Sequence, residues 1–188
     1  MNIKRIHSGF TLIELLISIA VLGIVIALGL PDLRSLLVSN RLSSNVNSFL
    51  GLINYARSEA ITRNQSVVIC PKDTSGVGCA SSQFWNEYEI QAFVDSNGNN
   101  DREASEILLK TLPVVDPTGS GTAFVRTAGT GVISFGTSGY SSTAHRFDIH
   151  AVKASDTAYE VKYGRSICIS RPGRPRVVSY GASSCTNF

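Results

Sequence analysis

Histidine and catalytic signatures are scarce in this sequence of 188 residues. It has three histidines, and the two beyond the first nine residues, His145 and His150, form no H-E-x-x-H pair. The G-x-S-x-G signature of serine hydrolases and the glycine-rich phosphate loop are also missing. These absences argue against hydrolase, metalloprotease and nucleotide-hydrolysing activity. The sequence therefore predicts a protein that is not an enzyme and that needs no cofactor.

Charge is nearly absent from one long stretch near the start. Glu14 is the one ionisable side chain in residues 10–30. About twenty apolar residues are enough for a helix to cross the hydrocarbon core, so we predict a transmembrane helix over residues 10–31. No small-residue cleavage site of a secretory signal follows it, so the segment should be retained. Lys4 and Arg5 in front of it favour a cytoplasmic N-terminus.

An acid inside such a segment costs about 2.5 to 3.5 kcal/mol and normally has a partner. The simpler alternative is a plain signal anchor whose acid reaches the membrane surface. However, the basic leader, the run GFTLIE and the closing Pro31 resemble the start of type IV pilin and pseudopilin precursors. The resemblance implies a leader over 1–9 that a prepilin peptidase cuts between Gly9 and Phe10, and N-methylation of Phe10. It also implies that Glu14 pairs with the Phe10 amine of a neighbouring subunit.

The four cysteines follow no metal-binding spacing. They form no C-x-x-C pair and have no histidine close by in sequence, which argues against zinc. The predicted topology places them outside the cytoplasm, where disulfides persist. Three connectivities are possible, and we favour the sequence-local one, Cys70 with Cys79 and Cys168 with Cys185.

The periodicity changes from helical to extended near residue 65. Apolar residues every three or four positions predict an amphipathic helix over 32–65, continuous with the membrane segment and bent near Pro31. Its expected apolar stripe is Leu33, Leu36, Leu37, Val46, Phe49, Leu50, Ile53, Ala56 and Ala60. Residues 66–188 are expected to form a β-rich head. The predicted strands are 66–70, 88–94, 106–112, 123–127, 132–136, 146–152, 159–164, 166–170 and 176–180.

Three stretches of the head resemble the GspH and FimT group of minor pilins, which includes FimU-like subunits. They are NYARSEAITRNQSVVICP at 54–71, FVDSNGN at 93–99 and ICISRPGRPRV at 167–177. The resemblance implies an α+β type IV pilin fold: a long kinked N-terminal helix, transmembrane and then amphipathic, packed on an antiparallel β-rich globular head. It also implies a single-pass protein of the bacterial inner membrane with a periplasmic head, which later joins other pilin subunits at the cell surface. We interpret Arg57 and Glu59 as a solvated helix face.

Charge is unevenly distributed along the head. Residues 70–119 contain three basic and eight acidic side chains, 3 − 8 = −5, and residues 140–188 contain seven basic and three acidic ones, 7 − 3 = +4. This asymmetry gives the head a basic C-terminal region, whose positive charge suits binding to phosphate groups.

The stretch RPGRPR at 171–176 is the most informative part of the basic region. Pro172 and Gly173 fit the central places of a type II turn, which would bring Arg171 and Arg174 to its corners. In extended chain Arg174 and Arg176 share one face, and guanidinium groups bind phosphate oxygens in pairs.

The G-R-x-R of this stretch also resembles the motif of FimT-like pilins that is linked to DNA binding in natural transformation. The implied DNA-binding set is Arg171, Gly173, Arg174 and Arg176, with Arg165, Lys162 and Lys153 as extensions. Two alternatives remain: a hairpin whose charges only aid solubility, and a FimU-like assembly-priming subunit or GspH-like type II secretion pseudopilin without DNA binding.

Residues 95–106 partly match a calcium-binding EF-hand loop. The candidate oxygen ligands are Asp95, Asn97, Asn99, Asp101 and Glu106. The glycine that this loop requires at its sixth place is Asn100 here, and Gly98 stands at the fourth. A solvated turn explains the same residues, so we expect no metal and keep calcium as the weaker alternative.

Overall fold

The computed structural model describes residues 10–116, 121–152, 161–181 and 185, leaving aside the side chains of residues 27–34. The chain divides into two compact units, Met1–Val38 and Ser39–Phe188. One helix of 52 residues, α1 (Leu12–Arg63), contributes to both. It is unbroken at Pro31, and the predicted bend there stays a prediction.

In the first unit the described apolar side chains of α1 are exposed. Phe10 and Leu12 are each 78% exposed, and every other described residue up to residue 26 is exposed as well. Within the described part of the chain, no helix has both the length and the apolarity needed to cross a membrane.

In the second unit α1 buries one stripe of side chains against the head. The buried residues recur every three or four positions, as the amphipathic pattern predicts, and are Leu42, Val46, Phe49, Leu52, Ile53, Ala56 and Ala60. Of the other stripe residues, Leu50 is half-buried and Leu36 and Leu37 are exposed. Leu33 lies outside the residues whose side chains are described.

Eight strands form two four-stranded sheets, and all pairings are antiparallel. The strands are β1 (Ser66–Pro71), β2 (Ile90–Asp95), β3 (Leu108–Leu112), β4 (Thr122–Ala128), β5 (Ile133–Phe135), β6 (His145–Ala151), β7 (Arg165–Ile169) and β8 (Pro175–Ser179). The first sheet has the order β3-β2-β1-β5, and the second has the order β4-β6-β7-β8. The predicted fold class of a long helix with an antiparallel β head is confirmed.

One predicted strand is wrong. Residues 161–163, part of the strand predicted over 159–164, are helical, and 159–160 lie outside the described residues. The alternating pattern of this segment does not distinguish a strand from one helical turn over so few residues.

An aromatic cluster joins α1 to the second sheet. Phe49 of α1 meets Phe124 of β4 at 4.7 Å and Phe147 of β6 at 5.1 Å between ring centroids. Trp85 packs on Phe147 at 4.7 Å and donates its indole N–H to the carbonyl of Ser82. Each buried aromatic side chain contributes about 1.5 to 3 kcal/mol. The cluster covers one face of the second sheet, which we call the inner face. The opposite, outer face contains the buried Asp148, Ser166 and Cys168 and the exposed Arg176.

Candidate nucleic-acid interface

The arginine turn, which we define as residues 170–176, joins β7 to β8. The N–H of Gly173 donates to the carbonyl of Ser170 at 2.8 Å, and the N–H and hydroxyl of Ser170 each donate to the carbonyl of Arg174 at 3.3 Å. Arg171 and Pro172 are therefore the central residues, so the predicted type II turn centred on Pro172 and Gly173 is wrong by one position. The left-handed conformation falls on Gly173, with φ of 75°.

All three arginines of the turn are exposed. For the side chains of Arg171 and Arg174 there is no hydrogen bond or ion pair to another described residue. Arg176 pairs across the strands with Cys168, whereas Arg174 precedes β8 and lies in the turn itself. The shared face of Arg174 and Arg176 stays a prediction, because the extended chain begins only at Pro175.

Arg176 lies on the outer face of the second sheet. The same face contains a second arginine, whose charge is neutralised. Arg146, which pairs with Cys168 across β6 and β7, lies 3.1 Å from the carboxylate of Asp148. Arg146 also donates to the hydroxyl of Ser166, which in turn donates to Asp148. Asp148 therefore neutralises Arg146.

Of the predicted extensions of the site, Arg165 does not share the sheet face of Arg176. Arg165 is three residues from Cys168 in β7, so strand alternation puts it on the inner face, opposite Arg176. Its position at the far end of β7 places it about 13 Å along the strand from the turn. Lys162 lies before β7, with its ammonium 5.1 Å from the ring centroid of Tyr163. Lys153 lies outside the described residues.

Backbone contacts hold the arginine turn against the chain between β5 and β6. The N–H of Ser141 donates to the carbonyl of Arg171 at 2.8 Å. A Cβ on Gly173 would collide with the carbonyl oxygen of Gly139 and lie 3.0 Å from Nε of Arg57. Close packing and the left-handed φ together explain why this position is glycine.

Arg57 is not simply part of a solvated helix face. Its side chain is half-buried, and its Nε donates to the carbonyl of Gly139 at 3.0 Å. Glu59 instead accepts from Arg63 one turn further along α1. The interpretation as a solvated face is wrong for Arg57, because its partner is 82 residues away in sequence.

Both predicted disulfides are present. Cys70 pairs with Cys79, and Cys168 pairs with Cys185. Cys168 of β7 pairs with Arg176 of β8. Its disulfide with Cys185 therefore links the C-terminal segment to the strand that precedes the arginine turn. The buried amide of Gln91 supports the other bridge by donating to the carbonyls of residues 77 and 78, at 2.9 Å each.

The calcium-like loop uses its carboxylates on its own backbone. The two oxygens of Asp95 accept from the N–H groups of Gly98 and Asn100, at 2.7 and 3.1 Å. Glu106 accepts from the N–H of Ser96 with one oxygen and from that of Glu103 with the other. Both acids are buried. Asn100 is left-handed at φ 62°, as its place in the loop requires.

The remaining candidate ligands of this loop also have protein partners. Asn97 and Asn99 donate to Glu103, and Asp101 accepts from the N–H of Cys79 at 2.7 Å. Among the described residues, no group of three or more acidic, histidine or cysteine side chains is arranged to hold a metal ion. These hydrogen bonds support the interpretation of the segment as a turn over the weaker alternative of a calcium site.

His145 is buried beside Phe147 of the core. Its Nε2 lies 3.2 Å from the hydroxyl of Thr143, and its ring packs against Gly129. Burial, together with the positive charge of Arg126, lowers the pKa of His145 to about 4. The side chain is therefore neutral at physiological pH.

At the start of α1, Glu14 has a local partner. Its carboxylate accepts from the N–H and hydroxyl of Thr11, and the Thr11 hydroxyl accepts from the N–H of Glu14 at 3.3 Å. This is a capping box, which satisfies N–H groups that the helix leaves unpaired. The T-x-x-E spacing is the signal in the sequence that could have found it. Gly9 lies outside the described residues, and Phe10 is exposed.

Two protein-family models match the chain. Residues 45–173 match the model described as type II transport protein GspH, which is more than half of the sequence. The chain belongs to the GspH family. Residues 4–30 match the prokaryotic N-terminal methylation motif, which spans Gly9, Phe10 and Glu14. The GspH family and the methylation motif thus account for separate parts of the chain.

Solved structures similar to this GspH-family chain include a minor pilin and a minor pseudopilin. The type IV minor pilin FimU of Pseudomonas aeruginosa strain PAO1 has a TM-score of 0.54 at 18% identity, covering 78% of this chain and 96% of FimU. A second crystal form of FimU has a TM-score of 0.51. The minor pseudopilin EpsH of the Vibrio cholerae type 2 secretion system has a TM-score of 0.49 at 12% identity, covering 76% of this chain and 99% of EpsH. No curated protein sequence matches. The fold is that of type IV pilins.

Proposed function

We propose that this chain is a minor pilin subunit that binds DNA without sequence preference through its arginine turn, for DNA uptake in natural transformation. As a precursor it spans the bacterial inner membrane through residues 10–31, with a periplasmic head. A prepilin peptidase cuts between Gly9 and Phe10, and the mature subunit joins other pilins in a filament. The GspH family and the methylation motif support the filament role, which is structural rather than enzymatic.

The exposed arginine turn carries the DNA-binding part of the proposal. Arg171 and Arg174 have no described partner that would neutralise them, and the exposed Arg176 lies two residues after Arg174. The turn is also held by its own hydrogen bonds and by Ser141. A preformed group of guanidinium donors suits phosphate oxygens, which supply most of the affinity in binding that ignores sequence.

A mobility-shift titration with duplex DNA tests this proposal. We expect the double variant Arg174→Gln and Arg176→Gln to bind at least about tenfold more weakly, because two phosphate contacts are lost. The matched control is Arg63→Gln with Lys110→Gln, which removes the same charge from α1 and β3. Equal affinity of the two double variants would refute a role for the arginine turn.

Assembly without DNA binding is the second candidate function. The GspH family match and the FimU-like fold favour it, because both are shared with proteins named for secretion or for a pilus. The subunit would then prime a pilus or join a type II secretion pseudopilus. Deleting the gene and scoring transformation and piliation separates the two. Lost transformation with normal pili supports DNA capture, and lost pili supports assembly.

A further inference from the structure

Arg57 lies where the arginine turn meets the connection between β5 and β6. Both chain segments present a left-handed glycine at this point, Gly139 with φ of 74° and Gly173 with φ of 75°. Both glycines are buried. Two backbone segments and one helix side chain thus share a space that leaves no room for further atoms.

The contacts are specific to the shape of an arginine. A Cβ on Gly139 would lie 3.2 Å from Nε of Arg57 and 2.7 Å from Cδ1 of Ile61. A Cβ on Gly173 would lie 3.0 Å from the same Nε and 3.2 Å from Cδ of Arg57. The Nε itself donates to the carbonyl of Gly139. In lysine, the atom at the place of Nε is a methylene, so the same position has no donor.

The hydrogen bond from Ser141 to Arg171 completes this arrangement. Arg57 holds the carbonyl of Gly139. Ser141 lies two residues after Gly139, and the N–H of Ser141 holds the backbone of the arginine turn. An interaction that orders a binding turn before the ligand arrives lowers the entropy cost of binding. The turn is therefore linked to α1 by a side chain that lies outside its own hairpin.

We infer that Arg57 is a positioning residue, which holds the arginine turn in its phosphate-binding conformation without itself contacting DNA. The effect on DNA affinity rests on the proposed DNA-binding function. The ordering of the arginine turn by Arg57 does not depend on that function. By this inference α1 contributes to the DNA affinity of the arginine turn, although Arg57 and Arg171 are 114 residues apart in sequence.

The test compares three variants of the full chain: Arg57→Gln, Arg57→Lys and the control Arg63→Gln. Arg63 lies on the same helix and has the same charge, but pairs with Glu59. Amide hydrogen exchange of Ser141 and Gly173 measures the order of the turn directly. Duplex-DNA affinity at several salt concentrations measures the effect on binding, and thermal unfolding checks that each variant is folded.

We expect both Arg57 variants to speed exchange at Ser141 by about fivefold or more and to weaken DNA binding about threefold to tenfold. The salt dependence should keep its wild-type slope, and Arg63→Gln should change binding less than twofold. Arg57→Lys is the safer variant if Arg57→Gln does not fold, because it keeps the charge and most of the stem.

Two outcomes would overturn the inference. In the first, Arg57→Gln makes the slope of log K against log salt shallower by about 0.9, while Arg57→Lys binds DNA as tightly as the wild type. Arg57 would then contact a phosphate directly. If exchange at Ser141 and Gly173 is unchanged in both variants, Arg57 does not order the turn. Should the wild-type chain bind no DNA, the proposed function fails, and hydrogen exchange alone decides whether Arg57 holds the turn.

Discussion

At the scale of single residues, Gly173 decides whether the arginine turn can form. Replacement by alanine would strain the left-handed φ of 75° and force a Cβ into the carbonyl of Gly139. We expect Gly173→Ala to lower the free energy of unfolding by about 2 to 4 kcal/mol, since strain and overpacking add.

The matched control for this prediction is Gly98→Ala. Gly98 has nearly the same φ, 77°, but a Cβ at this position would meet no atom within 4 Å. The variant should lose only about 1 to 2 kcal/mol, the cost of the left-handed conformation alone. Equal losses in urea unfolding would show that the contact with Gly139 is not tight.

His145 predicts a pH dependence of stability. Its pKa falls from 6.5 to about 4 in the folded chain because of burial and Arg126. The unfolded chain takes up a proton as the pH falls through 6.5, while the folded chain does not until about pH 4. The free energy of unfolding should therefore decrease over this window, by up to about 1.4 kcal/mol per pH unit.

Urea unfolding at pH 7.5 and pH 5 measures this effect. His145→Gln should lose less stability between the two pH values than the wild type does, and His150→Gln serves as the histidine-removal control. A pH-dependent loss that is the same in His145→Gln and in the wild type would contradict the assignment.

At the scale of elements, the start of α1 combines two roles for one acid. Glu14 caps the helix with Thr11, and we propose that it also pairs with the Phe10 amine of a neighbouring subunit after processing. Thr11→Ala removes the capping hydroxyl but keeps the acid. We expect Thr11→Ala to enter pili nearly normally, since a lost cap costs only about 1 kcal/mol, and Glu14→Ala to be excluded.

Immunoblots of sheared pili measure this incorporation. If Glu14→Ala enters pili as well as the wild type does, the pairing with Phe10 is wrong. If both variants are excluded alike, the helix cap, rather than the pairing between subunits, accounts for the need for Glu14.

The loop over residues 95–106 is held by Glu106. Both of its oxygens accept backbone N–H groups, from Ser96 and Glu103. Glu106→Gln replaces one acceptor with a donor, and we expect a loss of about 1 to 3 kcal/mol. The exposed Glu87→Gln should change stability by less than about 0.5 kcal/mol.

Calorimetry with millimolar calcium completes this test. Because the buried carboxylates already have backbone donors, we expect no binding heat and no change in the melting temperature. A rise in melting temperature that Glu106→Gln abolishes would establish the loop as a calcium site.

At the scale of the whole molecule, folding changes the charge pattern that the sequence suggests. Three acids of the acidic middle, Asp95, Glu106 and Asp116, are buried. Asp116 accepts from the N–H groups of Gly121 and Thr122 at 2.6 Å each. The arginines of the turn are all exposed. Because these carboxylates face backbone donors inside the fold while the arginines are exposed, a polyanion can contact the basic groups directly but not the buried acids.

The antiparallel head, both disulfides and the helix stripe from Val46 to Ala60 are predictable from the sequence, because they follow from local periodicity and from the short separation of the paired cysteines. Leu36 and Leu37, predicted in the same stripe, are exposed. The turn at 170–176 lies one residue away from its predicted place, since its hydrogen bonds depend on β7 and β8 being in register. The contact of Arg57 with Gly139 has no local signal at all. It arises only when α1, β5 and β7 pack together.

The salt dependence of duplex-DNA binding by the purified chain tests most directly whether the arginine turn binds DNA. With two or three arginines of the turn on phosphates, the plot of log K against log salt should have a slope of about −2 to −3. Arg174→Gln with Arg176→Gln should make the slope shallower by about 1.8. A wild-type slope near zero, or a slope that this double variant leaves unchanged, would contradict DNA binding through the arginine turn.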